Sequence, residues 1–217
     1  MIGQTTRREF LLSTGAGAVG MSIGLGGSMA IHAVGHATAD SHSTASGEPT
    51  AVDFGFCTDM TVHHIQALAM CQRVLGRDTG DPVQAAAVEV LQTQAIEIGM
   101  MRAWLTDWGQ STAEPELAMG WMSMHDDDSG TGGIPVGDMP GLASDEEMST
   151  LGTASGVEQG RLWLRLMRAH HVGGVNMANA AAEMAGTEKV RRIATTQVAV
   201  QTYEIDQYDM LLATDYA

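Results

Sequence analysis

The residues richest in chemistry are methionines and histidines at one fixed spacing. Met60, His63, His64 and Met70 reappear as Met167, His170, His171 and Met177, each displaced by 107 positions. On a helix, residues three and four apart share a face, so Met60 lies beside both His63 and His64, and Met167 beside both His170 and His171. The two histidines of a pair diverge by about 100° around the helix, so a single ion does not readily take both. One of each pair is expected to face the protein interior, the other to pack between helices or toward a linker. Two imidazoles with one or two thioethers suit Cu(I), and the imidazoles also tolerate Cu(II). A metal ion is therefore the expected partner, with copper as the expected cofactor.

Polar residues at the same offset extend the pattern. Gln94, Glu97 and Ile98 recur as Gln201, Glu204 and Ile205. They sit in otherwise apolar helical stretches, where a carboxylate is costly to bury unless paired. Glu97 and Glu204 are thus candidates to orient the histidines from behind, with Gln94 and Gln201 beside them. The same residues also fit a purely structural Glu–His hydrogen-bond network with no metal.

Cys57, Met60, His64, Ala67 and Cys71 follow a 3-4-3-4 spacing and form one stripe of soft atoms, but Leu164 and Ala178 stand at the cysteine positions of the second copy. Along one helix Cys57 and Cys71 lie about 21 Å apart at roughly 1.5 Å per residue, too far to bridge. A second candidate ligand set, Met122, Met124 and His125, lies between the copies near Met119, Trp121 and an acidic run, Asp126 to Asp128. It reads either as a copper-capturing segment or as a Met-rich cover for the core. The acidic run lacks the spacing of an EF-hand loop.

These residues need a scaffold that brings two copies together. The fixed offset across two separated blocks predicts a duplication. Each copy reads as a helix, a short turn and a second helix. The first helix runs from Asp53 to Leu75 and stops at Gly76. Asp81 and Pro82, as cap and first helical residue, open the next, which runs to about Trp108 before Gly109. The second copy reads as helices from about Val157 to Ala185 and, capped by Thr187, to about Ala213. Neither hairpin buries its apolar face alone. Two together predict an all-α, up-down four-helix bundle with an approximate two-fold axis. The domain spans 53–215, as repeat one (53–109), linker (110–152) and repeat two (153–215). The linker is expected to wrap the bundle irregularly, with a capping box from Ser144 to Glu147 starting a short helix.

The N-terminus reads as an address. Arg7 and Arg8, one spacer, then Phe10 and Leu11 form a twin-arginine pattern, followed by a Gly-rich apolar stretch and small residues at Ala37 and Ala39. Residues 1–39 are expected to be a signal peptide and 40–52 a disordered tether that makes His32, His36 and His42 incidental. A retained N-terminal anchor is the alternative, and the only membrane contact expected. The chain carries 26 acidic against 11 Lys and Arg residues, a net charge of −15. That disfavours nucleic acid and anionic membrane as partners. Removing Arg7, Arg8 and Glu9 leaves 9 basic and 25 acidic residues, a net of −16.

The doubled Met-x-x-His-His motif, spanning roughly Asp53 to Leu212 and including the step at Met139, Pro140 and Gly141, resembles the family known as domain of unknown function 305. The resemblance implies a ferritin-like bundle, exported to the periplasm, cell surface or medium, with some members linked to copper binding or copper tolerance. It places the signature on Met60, His63, His64, Met70, Met167, His170, His171 and Met177. One departure is Gly160, where the first copy has Asp53. The expected function is metal binding, buffering or tolerance without catalysis. A structural or interaction bundle is the first alternative and a ferritin-like oxidase the second. A di-iron oxidase needs Glu-x-x-His on two helices, and no Glu here is followed three residues later by His.

Overall fold

The computed structural model describes residues 47–123 and 132–217. They form five helices: α1 (Ala51–Val74), α2 (Asp81–Asp107), α3 (Asp145–Thr153), α4 (Gly156–Met184) and α5 (Glu188–Ala213). One two-residue antiparallel ladder, β1 (Leu117–Ala118) with β2 (Ile134–Pro135), joins the described parts of the linker. The fold is an all-α helical bundle. Among the described residues no helix is long and apolar enough to cross a membrane.

The helix ends follow local chemistry. Gly76 (φ 74°) and Gly80 (φ 92°) take the positive φ open to glycine in the turn between α1 and α2. Gly80 is the N-cap of α2, so Asp81 and Pro82 are its first two helical residues, one step further in than the sequence suggests. The side chain of Ser144 accepts from the Glu147 N–H and that of Thr187 from the Val190 N–H, capping α3 and α5 as expected. Helix α1 begins at Ala51, so the last residues of the expected tether belong to the fold.

Cross-helix contacts set the directions. α1 and α2 are antiparallel, since Glu97 meets His64 while Gln84 reaches the Val74 carbonyl. α4 and α5 are antiparallel through His171 with Glu204 and Arg168 with Asp209. α1 and α4 form the seam between the hairpins. Asp53 sits at Thr187, His63 at His170, and Gln159 donates to the Arg73 carbonyl, so these helices also run in opposite directions.

The apolar core is cut in two. One half gathers Met70, Cys71, Val74, Trp163, Leu164 and Met167. The other gathers Phe56, Cys57, Met60, Met177, Ala178 and Ala181. Between them, at mid-length of all four long helices, lies a layer of buried polar residues: His63, His64, Gln94, Glu97, His170, His171, Gln197 and Gln201. Such a layer opposes burial unless its groups are paired, so it marks where the fold serves something other than packing.

The linker is pinned to α1 at one end and to α4 at the other. Asp59, buried on α1, accepts from the Met119 N–H (2.7 Å) and the Trp121 indole N–H (2.8 Å). Trp121 packs edge-on against Phe56. At the linker's other end, Gly173 carries no side chain where the Pro140 carbonyl lies against α4. Any Cβ there would overlap that carbonyl.

Candidate metal centre

The four motif histidines form a continuous buried group, each 0% exposed. His63 from α1 and His170 from α4 stack with ring centroids 3.7 Å apart at 30°. His64 and His171 flank them at 6.4 and 6.1 Å. The divergence of adjacent helical positions is resolved in one way in both hairpins. His63 and His170 occupy the α1–α4 seam, whereas His64 and His171 turn toward α2 and α5.

The outer pair is held by carboxylates. His64 Nε2 lies 2.7 Å from Glu97 Oε2, and His171 Nε2 lies 2.7 Å from Glu204 Oε2. Gln197 reaches across from α5 and donates to Glu97 Oε2 at 3.1 Å. The seam pair is held far less. His170 Nε2 donates to the His63 carbonyl at 2.8 Å. Neither ring nitrogen of His63 has a partner in hydrogen-bonding geometry, although the Pro140 carbonyl is near enough to favour its proton slightly. The Nδ1 atoms of His64, His170 and His171 are likewise unpartnered. Burial, reinforced for each by neighbouring imidazoles, holds His63 and His170 well below the ordinary imidazole range. Both are neutral at pH 7, with lone pairs available for a metal.

The four motif methionines bracket this group. Met60 and Met177 are buried in the apolar half on one side, Met70 and Met167 in the half on the other. Cys57 and Cys71 are free and buried, one in each half, as their separation requires. Burial pushes both thiols up to about 12, so neither is a ready thiolate. Among the described residues no three His, Cys, Asp or Glu side chains converge as a ligand set. The other donors beside the histidines are the thioethers of the four motif methionines and the amide and carboxylate oxygens of the layer.

Of the other candidates, Gln94, Glu97, Gln201 and Glu204 line one narrow cleft between α2 and α5, behind the outer histidines. Met122 is half-buried against the apolar half that holds Met60, away from the histidines. Met124 and His125 lie outside the described residues, as do residues 1–39. Three members of the layer carry no motif. Gln197 lies 107 positions after Val90, an apolar residue. The Pro140 carbonyl comes from the linker. Tyr208, with burial pushing its phenol up and no partner for its hydroxyl, packs its ring 5.5 Å from that of His171.

Away from the layer the hairpins differ. Asp53 binds the α4–α5 turn through the Gly186 and Thr187 N–H groups and the Thr187 hydroxyl. At the corresponding place in α4, Gly160 leaves room for the α1–α2 turn, and Tyr216 closes it by donating to the Thr79 carbonyl at 2.6 Å.

A family model described as Domain of unknown function (DUF305) matches residues 53–212. A DUF305 protein from Streptomyces coelicolor, described as secreted, is 38% identical with a TM-score of 0.66, over 75% of this chain and 92% of that one. A DUF305 fragment from Deinococcus radiodurans is 28% identical with a TM-score of 0.62, over 76% and 97%. A protein named CopM, solved in a Cu(I)-bound form, shares the fold at 21% identity and a TM-score of 0.58, over 76% and 98%. No curated protein matches the chain.

Proposed function

Because the chain belongs to the DUF305 family, we propose that it is an exported protein that binds and buffers copper in the polar layer between its two hairpins. The observation that carries this reading is the stacked pair His63 and His170. Both imidazoles are buried, neutral and short of hydrogen-bond partners, and both sit on the α1–α4 seam between the two hairpins. A fold with no use for those nitrogens gains nothing by burying them unpaired. Met60, Met70, Met167 and Met177 would supply sulfur from either side. Glu97 and Glu204 would fix the outer imidazoles through their Nε2 atoms. Bound copper would supply a Lewis-acidic, redox-active centre; the chain's own part is to present neutral nitrogen and thioether donors away from water.

CopM, solved with Cu(I), Cu(II) and silver, lends support from a shared fold. The two hairpins are read as copies of one ancestral unit, supported by the equal His–Glu contacts at residues offset by 107. Export by the twin-arginine route rests on Arg7 and Arg8 and agrees with a related protein described as secreted.

The test is titration of purified protein with Cu(I) and Cu(II), with a competing chelator as indicator. About one or two ions should bind per chain, and His63→Ala with His170→Ala should lower affinity by at least about tenfold. Unchanged affinity in that variant rejects the reading. The closed His64–Glu97 and His171–Glu204 contacts favour a second reading, a structural network without metal. Indifference of thermal stability to both copper and chelator would select it.

A further inference from the structure

The polar layer continues past the imidazoles into the narrow cleft between α2 and α5. Its interior admits about one water-sized particle. Six polar side chains meet there: Thr93, Gln94 and Glu97 from α2, and Gln197, Gln201 and Glu204 from α5. Each carboxylate commits Oε2 to its histidine and leaves Oε1 uncommitted. Gln94, Gln197 and Gln201 are 3%, 1% and 3% exposed, and each has an Oε1 atom with no partner.

The buried cleft atoms left without a partner are the three amide oxygens, all acceptors. A single water offers two protons, too few for three orphaned amide oxygens and two carboxylate oxygens. A divalent cation accepts carboxylate and amide oxygens together as ligands, which a single water cannot match. No sulfur lines the cleft, and the imidazole Nε2 atoms behind it are already bonded to carboxylates. Carboxylate and amide oxygens suit Mg²⁺, Mn²⁺ and Ca²⁺ rather than copper, and the small interior favours the two smaller ions.

We propose that the α2–α5 cleft binds one Mg²⁺ or Mn²⁺ ion through Glu97, Glu204, Gln94, Gln197 and Gln201. This site is separate from the copper reading and does not rest on it. The two share only the carboxylates, which would face the hard cation with one oxygen and a histidine with the other.

Mn²⁺ is the probe. Chelator-treated full-length protein is titrated with MnCl₂ while the electron paramagnetic resonance signal of free Mn²⁺ is followed. The expected result is loss of about one Mn²⁺ per chain from the free signal, reversed by excess Mg²⁺. Gln94→Leu with Gln201→Leu should weaken binding by about tenfold, and Glu97→Gln with Glu204→Gln by more. His63→Ala with His170→Ala should leave it unchanged. Several weak sites indifferent to the glutamine and glutamate variants mean acidic-surface binding and overturn the proposal. Should those variants fail to fold, anomalous scattering from Mn²⁺-soaked crystals of the unaltered protein decides: a peak between α2 and α5 supports the site, and its absence overturns it. Copper titration is run alongside. Copper uptake without Mn²⁺ uptake ends this inference and leaves the copper reading standing; the reverse result does the opposite.

Discussion

Asp53→Ala tests how much of the fold depends on one carboxylate. Asp53 is fully buried and accepts from the Thr50 N–H (2.9 Å) and hydroxyl (2.7 Å), the Gly186 N–H (2.8 Å), and the Thr187 N–H (2.9 Å) and hydroxyl (2.5 Å). Thr50 is exposed and Gly186 half-buried, so water can replace those bonds in the variant. Thr187 is 3% exposed and has no such recourse. Each of the two buried Thr187 donors left unsatisfied costs about 1–3 kcal/mol, and the lost bonds at the start of α1 add about 1 kcal/mol, for an expected loss of about 3–7 kcal/mol. A domain of this size has about 5–15 kcal/mol in total. Urea unfolding followed by far-ultraviolet circular dichroism should show an unchanged slope and a midpoint lower by about 1.5–3.5 M, for a slope of about 2 kcal/mol/M. The dependence on pH supplies a second arm. Burial pushes the Asp53 carboxyl up, but the bonds from Thr187 and Thr50 outweigh it and hold it below its ordinary value. Its contribution is therefore present above about pH 4 and is lost as pH falls through the lowered native value. Asp53→Ala should flatten that acid limb. A loss under about 1 kcal/mol with the acid limb intact would refute the reasoning.

Two further outcomes are expected. His63 and His170 are held neutral well below the ordinary imidazole value, so the unfolded chain takes up protons that the fold refuses. Metal-free protein should lose stability as pH drops below about 6.5, by up to about 1.4 kcal/mol per pH unit for each imidazole, and His63→Leu should shrink that slope in denaturant titrations. Cys57 and Cys71, buried with thiols pushed up to about 12, should resist iodoacetamide in the native protein and react fully in urea, as counted by mass spectrometry.

The four long helices were legible because their signals are local. Gly76, Gly109, Ser144 and Thr187 mark ends within a turn of where the backbone changes direction. Glu97 and Glu204 were legible as partners for histidines because an acid inside an apolar helix needs one. Which histidine of each pair faces the α1–α4 seam was not legible, since His63 and His64 are equivalent until a second helix crosses one of them. The bond from Asp53 to Thr187 spans 134 residues and that from Asp59 to Trp121 spans 62, and nothing in either neighbourhood names the other. Gln197 was missed for a different reason. It breaks the offset of 107, because Val90 stands at its counterpart, so the feature that exposed the other polar residues concealed this one.

The meeting of His63 with His170 has a consequence for how this chain can vary over time. If the hairpins share ancestry, those rings are images of each other in direct touch, and any replacement is felt at once by its own counterpart. Lineages should therefore alter both members together or neither. Asp53 and Gly160, far from that shared contact, answer to different neighbours and carry no such tie.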